Sequence, residues 1–283
     1  MTIVPLPIGP IVTSWLVSET WWVRAGILLL AVNAVFVLFG KRARSRQDRV
    51  TDRLLAIAVV AIGIGIGLRW QQSGQGPFLT LYEILVSNVF SLGLFVLLAI
   101  RIAPAARGSL QFALPLLALL GIWAMSIPNE VVPLPPTFDN PWLWVHVLAG
   151  KLFLGAALVA TGLSVRLLLR AGRNAGAASA QNEDNLDVRV WRFAALAFLF
   201  DSAMLVAGAA WARDAWGRYW AWDPLETWAL LTWLALALVL HARVGLNLPR
   251  WSGWVGMCLV FVLAFLTFFG VPFLSMAAHK GVM

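Results

Sequence analysis

The sequence predicts an all-α fold, a polytopic integral membrane protein with about eight transmembrane helices and both termini outside. Three observations carry that prediction. Apolar residues make up 61% of the 283 and charged residues 12%, far from the balance of a soluble domain. The apolar residues fall into runs of about 20, the length a helix needs to cross a hydrocarbon core of about 30 Å. Basic residues gather in alternate connections between those runs, the bias that orients membrane helices.

In chain order the spans lie near residues 22–40, 54–70, 80–102, 109–127, 143–169, 190–212, 226–243 and 253–275. The second is short and reads as broken by Gly63, Gly65 and Gly67. Connections after spans one, three, five and seven hold fifteen of the twenty-one Lys and Arg, including the run from Lys41 to Arg53. That side is therefore expected to be cytoplasmic. These flanks account for the net charge of +8, and their scatter over loops without a nucleic-acid motif gives no sign of nucleic-acid binding, so no nucleic-acid partner is expected.

Residues before span one lack a basic n-region and a small-residue cleavage site, so they are expected to form an outward tail and not a cleaved signal peptide. Glu83 and Asn88 fall in the first two turns of span three and read as interhelical hydrogen-bond anchors. The fourth connection carries five prolines between residues 128 and 141 and is expected to be an extended, helix-free outer loop. Trp142, Trp144 and His146 follow it directly. Lys151, inside span five, reads as snorkelling outward or meeting an anionic ligand group. The fifth connection, rich in Ala, Gly and polar residues, is expected to be flexible and on the inner side. The single cysteine, Cys258, lies within span eight and reads as a small apolar packing residue, with no internal disulfide possible.

The stretch around which the chain is organised is WARDAWGRYWAWDPLETW, Trp211 to Trp228, with five tryptophans and a tyrosine in eighteen residues. Its end fits a helix start: Asp223 at the N-cap, Pro224 at N1 and Glu226 at N3. Indole rings also collect at membrane interfaces, but such a belt needs one or two rings per helix end. Trp216, Trp220 and Trp222 crowd a single connection. They form an apolar aromatic surface suited to a planar ligand.

Only three histidines occur. His146 opens span five and His279 follows span eight, both on the outer side, whereas His241 closes span seven about 22 Å deeper. Each also reads as an interfacial polar residue or a cation at a helix end. Two imidazoles on opposite faces of a haem satisfy a six-coordinate iron, and Arg213, Arg218 or Lys280 would supply charge for its propionates. Nothing in the sequence reads as a nucleophile or general base.

WGRYWAWDPLETW, Trp216 to Trp228, resembles the tryptophan-rich WWD signature of haem-handling proteins, and its ending is similar to the CcsA (ResC) family of System II cytochrome c synthesis. Leu186, Asp187, Trp191 and Arg192 upstream, and TWALLTWLALALVLHAR downstream, extend the resemblance over roughly residues 140 to 283, with a weaker echo at LYEILVSN. Leu225 stands where the family usually has lysine.

The resemblance implies residues 1–139 as N-terminal helices and outer loop, and 140–283 as a haem-handling core. It implies His146 and His279 as the outer axial ligands of haem b, carried as cargo, and His241 as the ligand of an inner membrane site. Trp216, Arg218, Trp220, Trp222 and Asp223 would contact the haem. Implied partners are a CcsB (ResB)-like membrane subunit, an apocytochrome c with a CxxCH motif, and a thiol-reducing protein. The implied location is a bacterial-type cytoplasmic or thylakoid membrane. In that reading reduced haem passes from His241 to the tryptophan loop, where its vinyl edge meets the apoprotein cysteines. Two alternatives stand beside it: a CcmC-type haem delivery protein of System I, and a transporter or structural subunit whose rings only anchor the interface.

Overall fold

A computed structural model describes residues 18–40, 44–171 and 177–271. The tail before residue 18, His279 and Lys280 lie outside the described residues. Among the described residues the chain forms eight α-helices: α1 Glu19–Phe39, α2 Arg44–Ser73, α3 Leu81–Ile102, α4 Leu110–Met125, α5 Pro141–Leu168, α6 Ala177–Trp216, α7 Pro224–Gly245 and α8 Arg250–Phe269. Each lies in a segment long and apolar enough to span a membrane, and no strand occurs among the described residues. Their outward faces are stripes at three- to four-residue spacing, such as Leu28, Val32, Val35 and Phe39 on α1 and Leu231, Leu234 and Leu238 on α7. Lipid is the natural solvent for such faces.

Three expectations are corrected. The second span is not broken: α2 runs unbroken through Gly63, Gly65 and Gly67, because two glycines at the α1–α2 contact let the backbones approach. A Cβ on Gly65 would lie 2.6 Å from Val23 Cγ2, and one on Gly26 would lie 2.5 Å from Ile62 Cγ1. The fifth connection is largely helical, since α6 starts at Ala177 and takes in most of the polar run. The proline-rich connection is not helix-free; Pro136–Phe138 form a short 3-10 turn.

The helices alternate in direction, so connections α2–α3, α4–α5 and α6–α7 meet at one end of the bundle, here the loop end. The helices that leave it are capped by side chains: Thr80 and Glu83 form a reciprocal capping box on α3, Asn140 caps α5 and Asp223 caps α7. Buried Arg69 fastens that end. Its guanidinium donates to Glu83 Oε1 at 2.8 Å, Glu19 Oε1 at 2.8 Å, Asn129 O at 3.0 Å and Glu130 O at 2.8 Å. Glu83 is thus an interhelical anchor, as its place in the sequence suggests. The opposite end is fastened by Arg107 to Asp52 at 2.5 Å and by buried Asp187. Asp187 accepts from Trp191 Nε1 at 3.0 Å, Trp254 Nε1 at 2.7 Å and Arg243 at 2.9 Å.

Helix α5 runs through the middle, packed by α3, α6 and α8, with Phe153 to Ala160 all buried. Facing it on α6, Asp201 is wholly buried and neither carboxyl oxygen has a hydrogen-bond partner among the described residues. Such a group costs about 1–3 kcal/mol. Asp201→Val is therefore expected to raise thermal stability in detergent, and a fall in unfolding temperature would show that the carboxylate has a stabilising partner.

Candidate functional site

At the loop end the three connections close over a cavity of about 260 Å³ between α3, α5, α6, α7 and α8. Its upper wall is aromatic, with Phe78, Phe138, Trp211, Tyr219 and Trp220; its floor carries Ser87, Asn88, Lys151 and Thr267. Phe78, Ile84, Ser87 and Asn88 come from before residue 139, so the site draws on both proposed halves of the chain.

His146 is set into the wall by three neighbours. Its Nδ1 lies 2.9 Å from the Met204 carbonyl oxygen, which requires an Nδ1–H donor and puts the ring's lone pair on Nε2. Its ring stacks on Trp211 at 6.2 Å and 26°. Gly208 makes room, since a Cβ there would stand 2.7 Å from His146 Nδ1. Trp211 is itself held by donating Nε1–H to Thr137 O at 2.8 Å and by the edge of Phe138 at 5.5 Å. Asn140 ties the start of α5 to the end of α6 by donating to Asp214 at 3.0 Å.

The tryptophan stretch is shorter as a loop than as a sequence pattern. Trp211 to Trp216 complete α6, Pro224 to Trp228 begin α7, and only residues 217–223 are irregular. Within them the backbone turns twice through the left-handed region, at Gly217 (φ 76°) and Trp222 (φ 58°). For a bulky residue the second turn costs about 1–2 kcal/mol. It splits the rings: Trp220 lines the cavity, while Trp222 packs edge-on against it at 5.8 Å and stays 70% exposed. Trp216 meets Trp211 at 5.0 Å and does not line the cavity. The Trp220 indole N–H is buried with no hydrogen-bond partner among the described residues.

Asp223 acts as the α7 cap, accepting from Glu226 N at 2.9 Å, and Glu226 reaches back to Ala221 N at 2.6 Å. Arg218 is exposed on the loop, and Arg213 lies over the Tyr219 ring at 5.3 Å. His241 is far from this cavity, exposed near the last turn of α7, with Nδ1 2.8 Å from Ala237 O. It shares with His146 the arrangement that places the lone pair on Nε2. Sequence reasoning assigned no role to Trp211, Phe78, Gly208 or the Met204 carbonyl. Gly208, the single glycine of α6 and one turn before Trp211, is the position where a ring from elsewhere fits.

Fold and site together define a polytopic membrane protein with a ligand cavity under a tryptophan-rich turn and an imidazole fixed in its wall. Residues 26–279 match the family described as Cytochrome C assembly protein, and the chain belongs to that family. It is 29% identical to the cytochrome c biogenesis protein CcsA of Synechococcus sp. (strain CC9605) over 90% of this chain and 92% of that protein. It is 30% identical to CcsA of Chlamydomonas reinhardtii over 75% of this chain, spanning 63% of the algal protein. Among solved structures it resembles the cytochrome c haem lyase CcmF with a TM-score of 0.70 at 18% identity, over 99% of this chain and 50% of CcmF, a likeness of fold.

Proposed function

We propose that this chain acts in cytochrome c maturation by holding haem b at the loop-end cavity and presenting it for covalent attachment to an apocytochrome c. The observation that carries this reading is His146, fixed through Nδ1 and bordered by Trp211, in a cavity whose other walls are Trp220, Tyr219 and Phe78. An oriented imidazole with its lone pair on Nε2 is an axial iron ligand, and the aromatic wall suits a macrocycle face. The orphaned Trp220 N–H supplies a further donor for a bound group. His279, outside the described residues, is the second axial ligand in this reading. Family membership and the CcsA relatives support it.

The chain's own part is to ligate, orient and exclude water, with the loop on the outer side of the membrane as the basic flanks predict. Trp222, held exposed by a strained backbone, faces the side from which the apoprotein would come. An inner site at His241 needs a ligand from a second, CcsB-like subunit. Helix α7 suits that partner, because only Glu226, Thr232 and Leu236 of it are buried among the described residues and His241 is exposed on it.

Visible spectra of the purified chain, oxidised and reduced, test the proposal. The parent is expected to show a bis-imidazole haem, converted to a five-coordinate form or lost in both His146→Ala and His279→Ala. A parent that stays haem-free even when produced with its partner would overturn it.

A further inference from the structure

The floor of the cavity holds an amine that no carboxylate among the described residues pairs. Lys151 sits ten residues into α5, about 15 Å below its start. A lysine at that depth costs about 2.5–3.5 kcal/mol and persists where it has a partner or a task. Its Nζ donates to Ser87 Oγ at 2.9 Å, and no carboxylate lies within 4.0 Å of it among the described residues. Ser87 passes its own proton back to Ile84 O at 3.2 Å, so it serves the amine as a neutral acceptor and brings no counter-charge. Two of the three donors of an ammonium remain for something in the cavity. Asn88 beside it is also incomplete, since its buried Oδ1 has no partner among the described residues. An amine tethered to α3, opening on an apolar chamber, is placed to receive an anion.

From this we infer that Lys151 is the carboxylate anchor of the cavity and sets the orientation of its ligand. The inference rests on the haem reading above and deepens it. Lys151 lies five residues beyond His146, about 7.5 Å further along α5. That offset is comparable with the reach from the centre of a porphyrin to its propionate carboxylates. With the iron at His146, a propionate on Lys151 points that edge of the macrocycle toward the membrane interior. The vinyl-bearing edge then faces the loop at residues 217–223, where the apoprotein cysteines would arrive. Asn88 Oδ1 accepts from the second propionate when that group carries a proton, or from a water beside it.

Haem and its propionate dimethyl ester, titrated separately into the purified full chain and followed by absorbance, test the anchor. The parent is expected to bind the free acid about 10- to 100-fold more tightly than the ester, the worth of one hydrogen bond to a charged group. Lys151→Met is expected to bind both alike, through the same His146-dependent spectrum, and Lys151→Arg to retain the preference. Equal binding of the two porphyrins by the parent, or a preference that survives in Lys151→Met, overturns the anchor and leaves the haem site standing. Binding of neither porphyrin by the parent overturns the haem reading and the anchor with it. Lys151→Arg also guards against misfolding: if Lys151→Met cannot be purified, an Arg variant that lacks the preference counts against the anchor, and one that keeps it supports the anchor.

Discussion

Replacing Arg69 by methionine is expected to destabilise the protein by about 3–5 kcal/mol, the range for removing one partner of a buried ion pair. The side chain is 5% exposed and its partners Glu19 and Glu83 are 10% and 1% exposed, so the carboxylates left behind would have no water to turn to. Glu83 keeps donors in Leu79 N at 3.0 Å and Thr80 N at 3.3 Å, whereas among the described residues no other donor reaches Glu19. The damage would not stay local. Arg69 also holds Asn129 O and Glu130 O, and so joins the α4–α5 connection to the base of α3. The turn before α3 carries Phe78, whose ring meets Trp144 at 4.6 Å and lines the cavity. Thermal unfolding in detergent should show the loss. Adding Glu19→Gln to Arg69→Met should recover part of it, by removing a charge that the single variant strands. An unfolding temperature unchanged in Arg69→Met would mean that the cluster is solvated, contrary to its burial.

Local chemistry was legible in the sequence and long-range chemistry was not. The Asp223–Pro224–Glu226 start of α7 was readable because a cap is settled within four residues, and the structure has that cap. The eight spans were readable because lipid sets their length and composition. The Arg69 cluster needed three helices and a loop to converge, and nothing within a single helix announces that. Gly65 was misleading for a related reason: helix propensity charges a glycine for its flexibility, while packing between membrane helices rewards its missing side chain. At the tryptophan loop the rings were evident, but which of them faces inward depends on backbone turns at Gly217 and Trp222. A left-handed tryptophan is not a choice that composition or spacing reveals.

Gly208→Ala is expected to lower haem affinity about 10- to 100-fold, the usual effect of losing the partner that orients a metal-ligating histidine, with little loss of stability. The added methyl carbon would lie 2.7 Å from His146 Nδ1, closer than real Cβ contacts come, and 3.0 Å from its Cε1. Helix α6 gains about 1 kcal/mol in propensity from the change, so the imidazole and not the helix is what yields. Moving it breaks the hydrogen bond to the Met204 carbonyl and slides the ring off Trp211, and with them goes the fixed direction of the Nε2 lone pair. A control sits one helical turn away on the facing helix. A Cβ on Gly150 would meet Met204 Sδ at 3.0 Å, a contact that a flexible thioether can relax, and Phe268 Cε1 at 3.3 Å, which asks a shift of a few tenths of an ångström. Gly150→Ala should therefore keep most of the haem affinity. Equal losses in both variants would assign the effect to general packing of α5 on α6, whereas a loss confined to Gly208→Ala would trace it to the orientation of one imidazole.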